Sequence, residues 1–173
     1  MYLVSMYFDE KSACRIQGYI NQTAKKSGNL FMTEKKVPPH MTISAFETQN
    51  ADQVISLLRE RTDMFQRGEI IWCSVGAFFP YVLYLSPVFN TYLQELSENI
   101  YQKLIKIEKV KIHKCYRPMQ WVPHVTIGKK LSKEEMVAAF QVLQEQFGMF
   151  SSQVVRIGLA KTNPYEELWS IEL

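Results

Sequence analysis

The pentapeptide Pro39-His40-Met41-Thr42-Ile43 returns 84 residues later as Pro123-His124-Val125-Thr126-Ile127, with four of the five positions identical. Such a repeat constrains the fold more than composition does, because two copies of one local context call for two copies of the surroundings that hold it. The chain has three histidines, and the repeat takes two of them. Histidine, with an ordinary pKa of about 6.5, is the side chain suited to giving and taking protons near neutral pH. Two histidines, each two residues from a hydroxyl, predict one site assembled from the two halves of a duplicated fold.

At 173 residues the chain fits one well-cored domain, residues 1–173, better than two independent ones. With 47% hydrophobic and 21% charged residues it has the composition of an ordinary soluble protein. The net charge of +3 permits an anionic ligand without demanding one. Lys103, Lys106, Lys109, Lys111 and Lys114 read as a solvated helix end and loop rather than a duplex-binding stripe. Cys14, Cys73 and Cys115 are odd in number and widely spaced, so a reducing cytoplasm is expected rather than a disulfide framework. No apolar run approaches the roughly 18 residues of a membrane span, and the N-terminus reads as a strand rather than a signal segment. With no apolar stripe left over, a monomer is expected.

Residues 2–8 predict a strand, and Asp9 caps a helix to about Lys26 that ends in the turn chemistry of Ser27-Gly28-Asn29. After the first repeat strand, Asn50 and Gln53 suggest a capping box for a helix burying Val54, Ile55, Leu57, Leu58 and Phe65. Two β-rich runs follow, 69–79 and 81–86. Phe89, Leu93, Leu96, Ile100, Leu104 and Ile107 predict an amphipathic helix. Ser132 and Glu135 cap another, carrying Met136, Ala139, Phe140, Leu143 and Phe147 inward. Strands over about 152–161 and 167–173 close the chain. Each half thus reads strand, helix, histidine strand, helix, strand, strand, an α+β pattern with antiparallel returns.

Alternation along a strand gives the repeat its chemistry. His40 and Thr42 share one face while Met41 and Ile43 take the other, and His124 and Thr126 share a face against Val125 and Ile127. Two histidines across a cleft suit general acid–base work on a phosphodiester, one neutral to take a proton and one charged to give one. Thr42 and Thr126 would donate to the non-bridging oxygens. The same alternation puts Trp72, Tyr84 and Arg156 on the cleft face as substrate contacts, with Phe8, Trp121 and Tyr165 near strand ends that border it. Neither motif has a third His, Cys or carboxylate at ligand spacing, so no metal is expected, and the scheme needs no cofactor. His113 reads as an exposed loop residue.

At these residues the chain resembles the 2H phosphoesterase superfamily, marked by two His-x-Thr/Ser motifs in a bilobal duplicated fold. Its order of elements is similar to that of the LigT-like branch, RNA 2′,5′-ligases and cyclic phosphodiesterases. The resemblance implies two mostly antiparallel sheets flanking a central cleft, with helices packed outside. It further implies metal-independent action on 2′,3′-cyclic phosphate ends or 2′,5′ linkages of RNA or nucleotides. His40 and His124 would be base and acid in an order that depends on substrate orientation, with Thr42 and Thr126 holding the phosphate. Ligating members often carry an arginine soon after the second motif; here Lys129 and Lys130 follow Gly128. Lys129 can supply counter-charge without a bidentate fork, which favours hydrolysis over ligation. The alternatives are a non-catalytic module that binds a nucleotide or RNA end, and the same chemistry on another small cyclic phosphate.

Overall fold

The computed structural model describes residues 1–60 and 62–173. β1 (Tyr2–Phe8) leads through Asp9 into α1 (Glu10–Ser27). Asp9 Oδ1 accepts the Ser12 amide at 3.0 Å, and Gly28 ends the helix at φ 77°, a left-handed cap that costs glycine nothing. α2 (Phe31–Lys35), a short helix, precedes β2 (Met41–Glu47). α3 (Ala51–Glu60), β3 (Gly68–Phe78), β4 (Val82–Pro87) and α4 (Thr91–Leu104) follow. The two-residue β5 (Lys111–Ile112), β6 (Val125–Lys129), α5 (Lys133–Gln146), β7 (Phe150–Lys161) and β8 (Glu166–Glu172) complete the order.

Local chemistry sets the helix ends. Asn50 Oδ1 accepts the Gln53 amide at 3.1 Å ahead of α3, and Ser132 with Glu135 forms the full reciprocal capping box of α5. α3 fully buries Val54 and Leu58, while Ile55 and Leu57 are only partly covered and Phe65 reaches the core from beyond the helix. α4 begins after an Asn90 cap, leaving Phe89 outside, and Ile107 is likewise buried from beyond the helix. Phe140, expected in the core, lies on the outer side of α5 and is 47% exposed.

The fold is α+β, and its strand pairings are antiparallel. The strands form one sheet in the order β1-β2-β6-β4-β3-β7-β8, with β1 also paired to β7. The expected pair of sheets is thus two arrays, β2-β1-β7-β8 and β6-β4-β3-β7, joined where β2 meets β6. β5 pairs the same edge of β2 farther along. β7 serves both: residues 150–154 pair with β3, 156–161 with β8, and its opposite edge with β1. The two arrays are not the two halves of the sequence. β4 is the counterpart of β1, since each leads through a helix to a histidine strand, yet the first-half strand β3 stands beside β4 and the second-half strand β7 beside β1. α1 packs along α5 and against β6, while α4 lies on β2.

Four of the ladder irregularities form two matched pairs. Ile43 is the extra residue between Ser5↔Thr42 and Val4↔Ser44, and Ile127 the extra residue between Tyr84↔Thr126 and Leu83↔Gly128. Cys73 lies between Trp72↔Pro87 and Ser74↔Ser86, and Val155 between Phe8↔Val154 and Tyr7↔Arg156. A bulge reverses the inward–outward alternation beyond it. This corrects the assignment of Trp72 to the cleft. Ser74 and Gly76 keep the cleft face, but Trp72, on the far side of Cys73, turns into the core with 0% exposure. Its Nε1 donates to Ser152 Oγ at 2.7 Å, and Phe8, also buried, meets its ring edge-on at 5.3 Å. Trp72→Phe removes that hydrogen bond and part of the ring, and should cost about 1–3 kcal/mol in urea unfolding. Turnover by the folded fraction should stay at the parent value; a selective loss of turnover would put Trp72 back in the site.

Candidate active site

β2 and β6 meet through the pair Met41↔Val125, the second residue of each motif, and both side chains are buried. In an antiparallel pair, residues flanking such a contact face one another on the opposite side of the sheet. That register sets His40 beside Thr126 and Thr42 beside His124, all four on one face. They line a single cavity of about 40 Å³, walled by Ile20 and Met32 and by Val37-Pro38-Pro39 ahead of β2. The volume suits a phosphoryl group and is far below the several hundred Å³ of a site enclosing a whole ligand.

The two histidines are held alike. His40 Nδ1 lies 2.8 Å from the Pro38 carbonyl oxygen, and His124 Nδ1 lies 2.8 Å from the Val122 carbonyl oxygen. A carbonyl only accepts, so Nδ1 carries the hydrogen in both rings and Nε2 is the nitrogen left to take or give a proton. Burial pushes the pKa of both below the ordinary histidine value, and the carbonyl bond partly offsets this by favouring the charged ring. The Lys129 ammonium lowers both as well, and the charge of His124 further lowers His40. Two charged rings are therefore disfavoured, while one neutral and one charged ring is the state that acid–base work needs.

Each threonine belongs to a row across three strands. Thr42 faces Ser5, which faces Gly158; Thr126 faces Tyr84, which faces Gly76. The rows match in place and differ in bulk. A Cβ on Gly76 would stand 2.4 Å from the Tyr84 ring, so this glycine makes room for the tyrosine to lie over β3. Tyr84 stacks on Phe78 at 4.3 Å, and the two rings flank His124 at 5.2 and 4.8 Å. Beside His40 the wall is Tyr7, whose ring centre is 6.1 Å away.

Arg156 reaches this wall but is engaged there. Its guanidinium lies 3.8 Å over the Tyr7 ring, and its Nη1 bonds Glu167 at 2.6 Å with Glu172 at 3.8 Å from Nε. The Tyr7 and Tyr165 hydroxyls bond at 2.9 Å. Arg156 thus braces Tyr7 instead of presenting a free cation to substrate, which corrects its assignment as a contact. Trp121 is buried and donates Nε1–H to the Thr42 carbonyl at 3.0 Å, and the Thr42 side chain lies within hydrogen-bonding reach of Tyr116. Tyr7, Tyr116 and Phe78 were not singled out from the sequence. Phe78 shares the parity of Gly76 and was legible; Tyr7 and Tyr116 reach the site through pairings that no local pattern encodes. His113 is exposed as expected. Among the described residues no group of three or more His, Cys, Asp or Glu could hold a metal ion, and no helix is long and apolar enough to cross a membrane.

Residues 15–166 match the family model of the 2′-5′ RNA ligase superfamily. Solved structures share the fold. A structure described as a phosphoesterase aligns with TM-score 0.60 at 14% identity, covering 99% of this chain and 97% of that one. E. coli LigT complexed with ATP aligns with TM-score 0.58 at 14% identity, covering 99% and 96%. E. coli LigT complexed with NADP+ aligns with TM-score 0.56 at 17% identity, again covering 99% and 96%. No curated protein matches the sequence significantly.

The ring geometry makes a spectroscopic prediction. In ¹⁵N-edited histidine spectra, His40 and His124 should both show a protonated Nδ1 and an unprotonated Nε2 when neutral. Both should titrate below the ordinary histidine value near 6.5. An Nε2-protonated tautomer at either ring would contradict the carbonyl bonds.

Proposed function

We propose that this chain, which belongs to the 2′-5′ RNA ligase superfamily, is a two-histidine phosphoesterase that opens 2′,3′-cyclic phosphate ends of RNA or nucleotides. What carries the reading is the duplicate geometry: two rings with matched Nδ1–carbonyl bonds and two threonines lining one cavity. The neutral histidine takes a proton through Nε2 from a water molecule whose oxygen bonds to phosphorus. The charged one delivers its Nε2 proton to the departing ribose oxygen as the P–O bond breaks, leaving a 2′-phosphate and a free 3′-hydroxyl. Thr42 and Thr126 donate to the non-bridging oxygens, where charge develops, and Lys129 supplies counter-charge. Trp121 holds the Thr42 main-chain carbonyl and so steadies the strand that carries its hydroxyl.

Hydrolysis is preferred over ligation because the cation beside the histidines is the single lysine ammonium of Lys129, and Arg156 is held by Glu167 and Glu172. The chain is read as one domain of two pseudo-symmetric lobes, acting as a monomer in the cytoplasm. Its three cysteines are free, two of them exposed, which fits a reducing compartment.

His40→Ala and His124→Ala should each lower kcat by about 10²–10⁴-fold. The double variant should cost little more than either single one, since the rings act as a unit. Thr42→Val or Thr126→Val should cost about 10²-fold. Phosphorus NMR on a 2′,3′-cyclic nucleotide reads all five, and binding without turnover by the parent would establish the binding-module alternative instead. Turnover should be unaffected by chelators.

The pH profile follows from the ring environments. One histidine must be neutral and the other charged, so kcat/KM is bell-shaped. Burial and Lys129 hold both rings below the usual value near 6.5, so the alkaline limb of kcat/KM, where the acid loses its proton, begins on the acid side of neutrality. A bound phosphodiester anion favours the charged ring, so the limb for kcat lies at higher pH. A flat profile would remove the two-histidine scheme.

A further inference from the structure

The turn between β3 and β4 leaves two large rings in solvent at the edge of the cleft, Phe79 at 83% and Tyr81 at 60% exposure. The neighbouring Phe78 contacts both Tyr84 and His124, so aromatic surface continues from the catalytic ring out to the turn. A basic segment runs alongside. The Tyr81 carbonyl accepts the Leu131 amide at 3.1 Å, and Val82 pairs with Lys129, which sets Lys129 and Lys130 against the turn. Lys130 Nζ lies 4.7 Å from the Phe31 ring centre, and Lys35 Nζ 5.7 Å from the same ring. Glu34 is the one carboxylate of α2, and Glu135 is tied to the Ser132 amide and the Asn29 side chain.

The side past His40 is built differently. There Arg156 is matched by Glu167 and Glu172, and Tyr7 is sealed by Arg156 and Tyr165. The cavity takes a phosphoryl group, so whatever is attached to it must leave over one wall or the other. Exposed rings stack on nucleobases without regard to sequence, and interleaved lysines meet the backbone charge. A narrow line of rings flanked by lysines suits stacked bases better than a lipid surface, which would reward one broad apolar face.

We propose that the β3–β4 turn, with Phe31, Lys129 and Lys130, is a second binding surface that carries single-stranded RNA out of the cleft on the His124 side. The preferred substrate is then an oligonucleotide end rather than a mononucleotide. The preference rests on the phosphoesterase reading of the cleft, whereas the surface itself does not.

The test compares kcat/KM for a 2′,3′-cyclic mononucleotide and for a short single-stranded RNA with the same end. It also measures fluorescence-anisotropy binding of the RNA with a plain 3′-hydroxyl. The RNA should be preferred by about tenfold or more, from stacking on the two rings. The double variant Phe79→Ser with Tyr81→Ser should lose that preference and the binding while handling the mononucleotide as the parent does. Lys130→Asn should flatten the slope of log affinity against log salt by about 0.7. Equal kcat/KM for the two substrates would overturn the proposal. So would RNA binding that ignores the turn, or binding of the turn to phosphatidylserine vesicles but not to RNA. Turn-dependent RNA binding with neither substrate consumed would keep the surface and remove the phosphoesterase reading.

Discussion

The contact on which the site depends is the meeting of Met41 and Val125. They are the same position of the two motifs, so the approximate twofold axis relating the halves passes between them. An antiparallel pair centred on such an axis interleaves the motifs, and each histidine finds the other copy's threonine beside it. The polar face is therefore two mixed pairs, each with one residue from either half. Both central side chains are buried, so the core that stabilises the fold is also what holds the polar residues in register.

From that axis outward the symmetry is kept in the backbone and abandoned in the side chains. Bulges recur at Ile43 and Ile127 and at Cys73 and Val155, and the Nδ1–carbonyl bonds recur at both rings. The rows behind the threonines then diverge, Ser5 in one and Tyr84 in the other. Near His40 the surroundings are compact and bonded: Tyr165 on Tyr7, two carboxylates on Arg156. Near His124 they are aromatic and open. A repeated backbone thus holds two equivalent imidazoles between two walls of different chemistry.

The repeat itself was legible, because His40 with Thr42 and His124 with Thr126 need only the period of two. So were the helix starts at Asp9 and Ser132, whose signals lie within one turn. Trp72 was misread for a definite reason: alternation was counted through Cys73, and one extra residue there reverses every face beyond it. Arg156 was placed near the correct wall, but its carboxylate partners come from β8 and no pattern along β7 announces them. The half-by-half order gave the first half two closing strands, whereas β4 opens the second half as the counterpart of β1, and it was silent about which strands pair. The exchange that puts β3 beside β4 and β7 beside β1 is decided by tertiary packing. The same holds for α2 and β5, each too short to leave a periodic trace.

β7 runs through both arrays and also pairs with β1, so the two arrays share a continuous hydrogen-bonded strand instead of a linker. A bilobed enzyme joined by a linker can open and shut like a clamshell, and it forfeits binding energy each time it shuts. Here such a motion would shear a ladder on one side and part Met41 from Val125 on the other. The arrangement of the four polar side chains is thus settled when the chain folds, and its entropic cost does not recur each time a ligand binds. Adjustment to different substrates falls to the segments that line the opening, such as Val37-Pro38-Pro39 and the β3–β4 turn.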